Sequence, residues 1–170
     1  MTKETITKSN CRIIPVSLKD ANKFVEAFHR HCKPVVCHKF SLGLLYKEKI
    51  IGVIIVGRPV ARALDNGLNV EINRCCVLEG YKNANSFLYA RAKKICQLMG
   101  YQKIITYTLL DEESGSSLRA IKAKLEIITG SYKPSDVGKR PFYELYNKKK
   151  IRWELNDKLD PFLESDEVES

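Results

Sequence analysis

The joint at residues 70–86 limits what this chain can fold into. An alternating run from Val70 to Val77 reads as a strand, and it ends in the short polar stretch Leu78-Glu79-Gly80-Tyr81-Lys82-Asn83. An amphipathic helix starts at once and runs toward Met99-Gly100. The first N–H groups of a helix have no partner within it. Small and polar residues directly behind a strand leave those donors to an anion, above all a pyrophosphate. Asn83, Asn85 and Ser86 are also side chains of helix-cap type, and capping and phosphate binding use the same donors. Glu71 and Arg74 lie on the strand that leads in.

Around this joint the chain switches between two periods. Residues 11–16 read as a strand that Pro15 ends or places at an edge. Ser17 and Asp20 have capping-box spacing, with Asp in place of Glu. Leu18, Ala21, Phe24, Val25, Phe28 and Cys32 follow at helical spacing, up to the break at Lys33-Pro34. Residues 40–46 and 50–57 form a hairpin across Lys47-Glu48-Lys49. A basic loop carrying Arg58 and Arg62 leaves the sheet, and 68–77 is the next strand. Leu88, Ala92, Ile95 and Met99 form the apolar stripe of the helix that follows. Residues 103–110 read as a strand, 114–125 as a short helix, 130–142 as a loop, and 142–146 with 151–155 as a final hairpin. Antiparallel hairpins joined to a strand–helix–strand crossover make an α+β domain. Its sheet is mixed and mostly antiparallel, flanked by about three helices.

The chain has 170 residues and a net charge of +9, unevenly spread. Residues 157–170 hold six acidic residues and one lysine, a net −5, so residues 1–156 carry +14. We expect one domain over 1–156 and a disordered acidic tail over 157–170. A body this basic favours polyanions, DNA among them, through a basic face. Arg58, Arg62, Lys139, Arg140, Lys148, Lys149, Lys150 and Arg152 supply that charge, with Phe142, Tyr143 and Tyr146 between them as stacking candidates. Trp153 reads as core. No apolar run nears ~18 residues, and the start of the chain lacks the apolar core of a signal peptide, so a cytoplasmic protein is expected. The six cysteines, at 11, 32, 37, 75, 76 and 96, are then free thiols.

The order of elements and the joint resemble the GNAT acyltransferase superfamily over residues 11–155. In that family the strand and helix at the joint bind acyl-CoA through a turn of form Arg/Gln-x-x-Gly-x-Gly/Ala. Here the matching positions are Gly80-Tyr81-Lys82-Asn83-Ala84-Asn85, and asparagine stands where the glycines would be. Arg74, Asn83-Ala84-x-Ser86, Thr106-Tyr107-Thr108 and Gly115-x-x-Leu118-x-Ala120 are similar to a divergent phage and prophage branch, the Mom-type DNA-modification proteins. The resemblance implies an acyl-CoA-dependent N-acyltransferase with acetyl-CoA or another acyl-CoA as cofactor. Its acceptor would be a nucleobase amine in DNA, or an amine of a protein or small molecule.

On that resemblance Cys75, Cys76 and Val77 pair with the pantetheine, and Tyr81, Lys82, Asn83, Ala84, Asn85 and Ser86 hold the pyrophosphate. Glu71 is the candidate base. Strict alternation puts it on the face opposite Arg74 unless a bulge intervenes. Many relatives place a tyrosine acid in the helix after the fifth strand. Here that helix offers Ser117, and Tyr107 is the nearest phenol, so the catalytic candidates are Glu71, Arg74, Tyr107 and Ser117. His29, His31, His38, Arg58 and Arg62 are expected to face the acceptor. A zinc site from His31, Cys32, Cys37 and His38 lacks a standard ligand spacing, and no metal is expected. The missing glycines and weak acid keep a second reading open: a non-catalytic GNAT-like module that binds nucleic acid.

Overall fold

The computed structural model describes residues 3–28, 33–129 and 148–156. Seven strands form one sheet in the order β2-β3-β4-β5-β7-β9-β8. These are β2 (Cys11–Pro15), β3 (Phe40–Tyr46), β4 (Lys49–Gly57), β5 (Asn69–Val77), β7 (Lys103–Leu109), β8 (Lys124–Thr129) and β9 (Lys150–Glu154). The β5–β7 pair is parallel and the other neighbours are antiparallel. Helices α1 (Leu18–Phe28), α2 (Ala84–Leu98) and α3 (Ser116–Ala120) complete an α+β domain. Among the described residues no helix is long and apolar enough to cross a membrane. The final hairpin partner expected at 142–146, the aromatics there, Lys139, Arg140 and the tail 157–170 lie outside the described residues.

Local chemistry explains these elements. Ser17 Oγ accepts from the Asp20 N–H at 3.1 Å and donates to the Asp20 carboxylate at 2.6 Å, which starts α1. Lys47 and Glu48 both take positive φ, 46° and 60°, the backbone of a tight hairpin turn whose twist matches its strands. Pro15 ends β2 on the sheet's edge, where its missing N–H removes no ladder bond.

Apolar side chains fill both sides of the sheet. Leu42, Leu44, Ile51, Ile54, Val56, Val70, Ile72 and Ile104 pack with Ala84, Leu88, Ala92 and Cys96 of α2. Val53, Ile55 and Cys76 pack with Ala21 and Val25 of α1 on the other side. The stripe of α2 is rotated from the expected one: Cys96 is fully buried, and Met99 is exposed beyond the helix end. Cys11, Cys37, Cys75, Cys76 and Cys96 are free thiols.

Two segments differ from expectation. The helix expected over 114–125 stops at Ala120, because Lys122 takes φ 59° and turns the chain into β8. Gly115 opens that short helix at φ 64°, and a Cβ there would lie 2.6 Å from the Trp153 ring, so the position needs glycine. Trp153 is core, and its Nε1 donates to Thr108 Oγ1 at 2.8 Å. Two short strands, β1 (Glu4–Thr5) and β6 (Tyr81–Lys82), pair in parallel beside the main sheet. Two residues carry too little periodicity to signal a strand.

Candidate coenzyme fork and acceptor face

The β5–β7 pair is short. Its register runs only from Asn69 with Lys103 to Ile72 with Thr106. Both strands continue, β5 to Val77 along β4 and β7 to Leu109 along β9. The two therefore part into a fork, with 73–77 on one arm and 107–109 on the other. Among the described residues no strand pairs with the inner edges of these arms; Leu109 bonds Glu113 through both its N–H and its carbonyl, so the room for an extended ligand lies along the β5 arm. At the base of the fork, Thr106 Oγ1 donates to the Ile72 carbonyl at 3.0 Å.

The β5 arm leads to the start of α2. Asn83 there is left-handed, at φ 68° and ψ −4°. After glycine, asparagine is among the residues that enter this region most readily. The expected motif has lost its glycine without losing the backbone shape a glycine gives. Asn83, Asn85 and Ser86 do not act as caps. The Asn83 side chain makes no cap bond, Asn85 Oδ1 accepts from Cys75 Sγ at 3.5 Å, and Ser86 Oγ donates to the Asn83 carbonyl at 2.9 Å. The first intrahelical bond is from the Phe87 N–H to the Asn83 carbonyl, 2.9 Å, so the N–H groups of Ala84, Asn85 and Ser86 precede it.

Tyr81 and Lys82, expected in the open turn, are strand residues. The Glu4 N–H donates to the Gly80 carbonyl at 2.8 Å and the Ile6 N–H to the Lys82 carbonyl at 3.0 Å. The Tyr81 ring meets Tyr46 edge-on, with centroids 5.7 Å apart. The open part of the cradle thus begins at Asn83.

A bulge in β5 decides where its side chains point. Ile55 pairs with Arg74 and Val56 with Ile72, so Asn73 is the extra residue. Strict alternation would oppose Glu71 and Arg74. The bulge instead brings Glu71, Arg74 and Cys76 to the α1 side and leaves Ile72, Cys75 and Val77 on the α2 side. Asn73 lies over Gly57, where a Cβ would collide with its amide oxygen.

Glu71 is only 6% exposed. One of its oxygens accepts the Val60 N–H at 2.9 Å. Burial raises its carboxyl above the ordinary range, against the Val60 N–H, the Asn73 side chain and the charges of Arg74 and Lys150. Arg74 is committed to carbonyls: Nη1 to Asn73 at 2.6 Å, Nε and Nη2 to Lys33 at 3.2 and 2.9 Å. Lys33 is fixed in turn because Asn22 of α1 bonds both the N–H and the carbonyl of Val35, each at 2.8 Å. Arg74 is therefore a strut between β5 and the loop after α1.

The other sequence candidates disperse. Tyr107 shares the Glu71 side of the sheet and lies opposite Arg152 on β9, which binds Glu126 at 2.7 Å. Ser117 sits in the first turn of α3 and has no bond to a residue of the fork among the described residues. His38 Nδ1 lies 2.7 Å from Ser41 Oγ. Arg58 is held by Asp65 of its own loop at 2.6 Å, and Arg62 is exposed on a 3-10 turn. His29 and His31 lie outside the described residues. Among the described residues no group of three or more His, Cys, Asp or Glu side chains is placed to hold a metal ion.

Two residues at the fork were not legible from the sequence. Asn73 carries no signal before the bulge is known. Tyr89 of α2 is electrostatically coupled to Cys75, and burial raises its phenol well above the ordinary value. Its position one residue after Leu88 could have been checked against the joint, since it faces the same strand.

No family model matches this chain, and no curated protein sequence is similar to it. Solved structures are similar in fold. An N-acetyltransferase from Staphylococcus aureus Mu50 superposes with TM-score 0.62 at 15% identity, over 86% of this chain and 98% of its own. A Bacillus subtilis acetyltransferase in complex with CoA gives 0.58 at 14% identity, over 86% and 98%. A GNAT family acetyltransferase from Elizabethkingia anophelis with acetyl-CoA bound gives 0.54 at 16% identity, over 87% and 99%. The chain has the GNAT fold.

Proposed function

We propose that this protein is an acyl-CoA-dependent N-acyltransferase. The observation that carries the reading is the fork. Two parallel strands part at Ile72 and Thr106, and the β5 arm leads through the short β6 to a helix start with no side-chain cap. Neighbours of the same fold hold CoA or acetyl-CoA. The residues present fit such a cofactor by the chemistry of their donors. The β5 edge turned toward the gap suits the amide groups of pantetheine, and the N–H groups of Ala84, Asn85 and Ser86 suit a pyrophosphate.

When bound, acyl-CoA supplies a thioester carbonyl that an amine can attack. This chain supplies the rest. Glu71 takes the proton of the attacking amine. Burial raises its pKa, which makes the carboxylate a stronger base for that proton. Val60 and Asn73 fix the carboxylate, and Arg74 fixes the loop beside it. The left-handed turn at Asn83 aims the first helical N–H groups out of the helix.

For the acceptor we propose a nucleobase amine in DNA, with an amine of a protein or small molecule as the alternative. The proposal includes an origin in the divergent phage or prophage branch. The +14 charge of residues 1–156 supports a polyanion, and Lys150 and Arg152 share the Glu71 side of the sheet. The test is a calorimetric titration of the full chain with acetyl-CoA. One-to-one binding supports the transferase. No binding at millimolar concentration leaves the nucleic-acid module instead. Mass spectrometry of DNA from expressing cells then separates the acceptors, because a modified adenine is expected only for the first.

A further inference from the structure

Between the end of β5 and the start of α2 the chain leaves the main sheet. The Leu78 N–H still donates to the Ile51 carbonyl of β4 at 2.8 Å. Gly80 follows at φ 92°, and then β6, which among the described residues pairs with β1 and with no strand of the main sheet. The segment Glu4–Ile6 thus holds residues 80–82. The Glu4 N–H binds the Gly80 carbonyl at 2.8 Å and the Ile6 N–H binds the Lys82 carbonyl at 3.0 Å. A peptide unit is planar, so a bond to its carbonyl also sets the direction of its N–H. By fixing the Lys82 carbonyl, Ile6 fixes the plane of the Lys82–Asn83 peptide. The left-handed turn into α2 departs from that unit.

The segment is itself anchored from three directions. The Ile6 side chain is 3% exposed and shares a core cluster with Ala84 and Leu88 of α2. The Glu4 carboxylate accepts from the Tyr46 hydroxyl and, at 3.1 Å, from Lys47 Nζ, both at the tip of the β3–β4 hairpin. Asn10 folds the next residues back, donating to the Thr5 carbonyl and accepting from the Thr7 N–H, each at 2.9 Å. Burial of Ile6 serves stability, whereas the two backbone bonds act on the turn itself. We infer that Glu4–Ile6 is a positioning element for the coenzyme. It holds the peptide ahead of Asn83, so that the N–H groups of Ala84, Asn85 and Ser86 are in place before the ligand arrives. The inference rests on the acyl-CoA reading. A turn ordered in advance raises affinity, because binding no longer has to order it.

The experiment measures CoA affinity by calorimetry and amide hydrogen exchange over 80–86, on the full chain and on Glu4→Ala, Glu4→Gln and Ile6→Pro. Glu4→Ala removes the acceptor of Tyr46 and Lys47. It should speed exchange over 80–86 and weaken CoA about two- to tenfold, the net range of one hydrogen bond. Glu4→Gln still accepts from Tyr46 and should recover most of both losses. Ile6→Pro deletes the N–H that holds Lys82 and should weaken CoA further; the two Glu4 variants keep the test open if it folds poorly. Faster exchange with unchanged CoA affinity in every variant would make the segment a structural tie and overturn the inference, while leaving the coenzyme site intact. A wild-type chain that binds no CoA would overturn it together with the acyl-CoA reading.

Discussion

At the scale of single residues, the buried Glu71 carboxylate is where a catalytic and a structural role can be told apart. A buried carboxylate with a raised pKa binds its proton more tightly in the folded chain than in the unfolded one. Between the ordinary value of 4.5 and its folded value, stability falls as pH rises, because the folded state holds more protons there. Above the folded value the full penalty is present. Glu71→Gln should therefore not lower the melting temperature at pH 8, and it should flatten the stability profile over that window. Acyl transfer should drop by roughly 10²–10⁴-fold, the usual contribution of a positioned base, with coenzyme affinity nearly unchanged. A variant that loses stability and keeps its turnover would make Glu71 structural. Gly57→Ala tests the brace beneath it. The new methyl displaces Asn73, and thermal unfolding should show a loss of about 1–3 kcal/mol, the common range for overpacking.

At the scale of elements, the bulge and the left-handed turn are what the sequence hid. The apolar runs 40–46 and 50–57 on either side of a short polar turn and the capping pair Ser17 and Asp20 were readable because each is a local signal. The side assignment of Glu71 and Arg74 was not, since one inserted residue, Asn73, reverses it and leaves no mark on composition. The departure from the glycine motif shows a related limit. Motifs record residue types, whereas the turn before α2 depends on a backbone angle, and Asn83 takes a left-handed one without being glycine. Tyr81 and Lys82 looked like open turn because their partner, Glu4–Thr5, lies far away in the chain. Asn83→Gly should keep coenzyme affinity and fold stability. Asn83→Val should lose about 1–2 kcal/mol in denaturant unfolding, the cost of a left-handed β-branched residue, and weaken coenzyme binding with it.

At the scale of the whole molecule, charge and fold make separable claims. The fold engages some basic side chains, Arg74 as a strut and Arg152 and Lys103 on Glu126, and the net +14 on residues 1–156 is an excess of positive charge over negative. If that charge serves a DNA acceptor, affinity should fall steeply with salt, since each phosphate contact releases counterions. Removing residues 157–170 takes away a net −5 and should strengthen binding in a filter or anisotropy assay. Reversing Lys148, Lys149 and Lys150 should weaken it across all sequences alike, because phosphate contacts carry no base readout. Salt-insensitive or absent binding would move the acceptor to a protein or small-molecule amine and leave the fork untouched. The central claim is that the fork and the start of α2 form one coenzyme site, and a crystal structure of the full chain with CoA tests it most directly. The account predicts phosphate oxygens about 2.7–3.2 Å from the N–H groups of Ala84, Asn85 and Ser86, with pantetheine along 73–77. CoA bound elsewhere, with the two arms of the fork closed on each other, would contradict it.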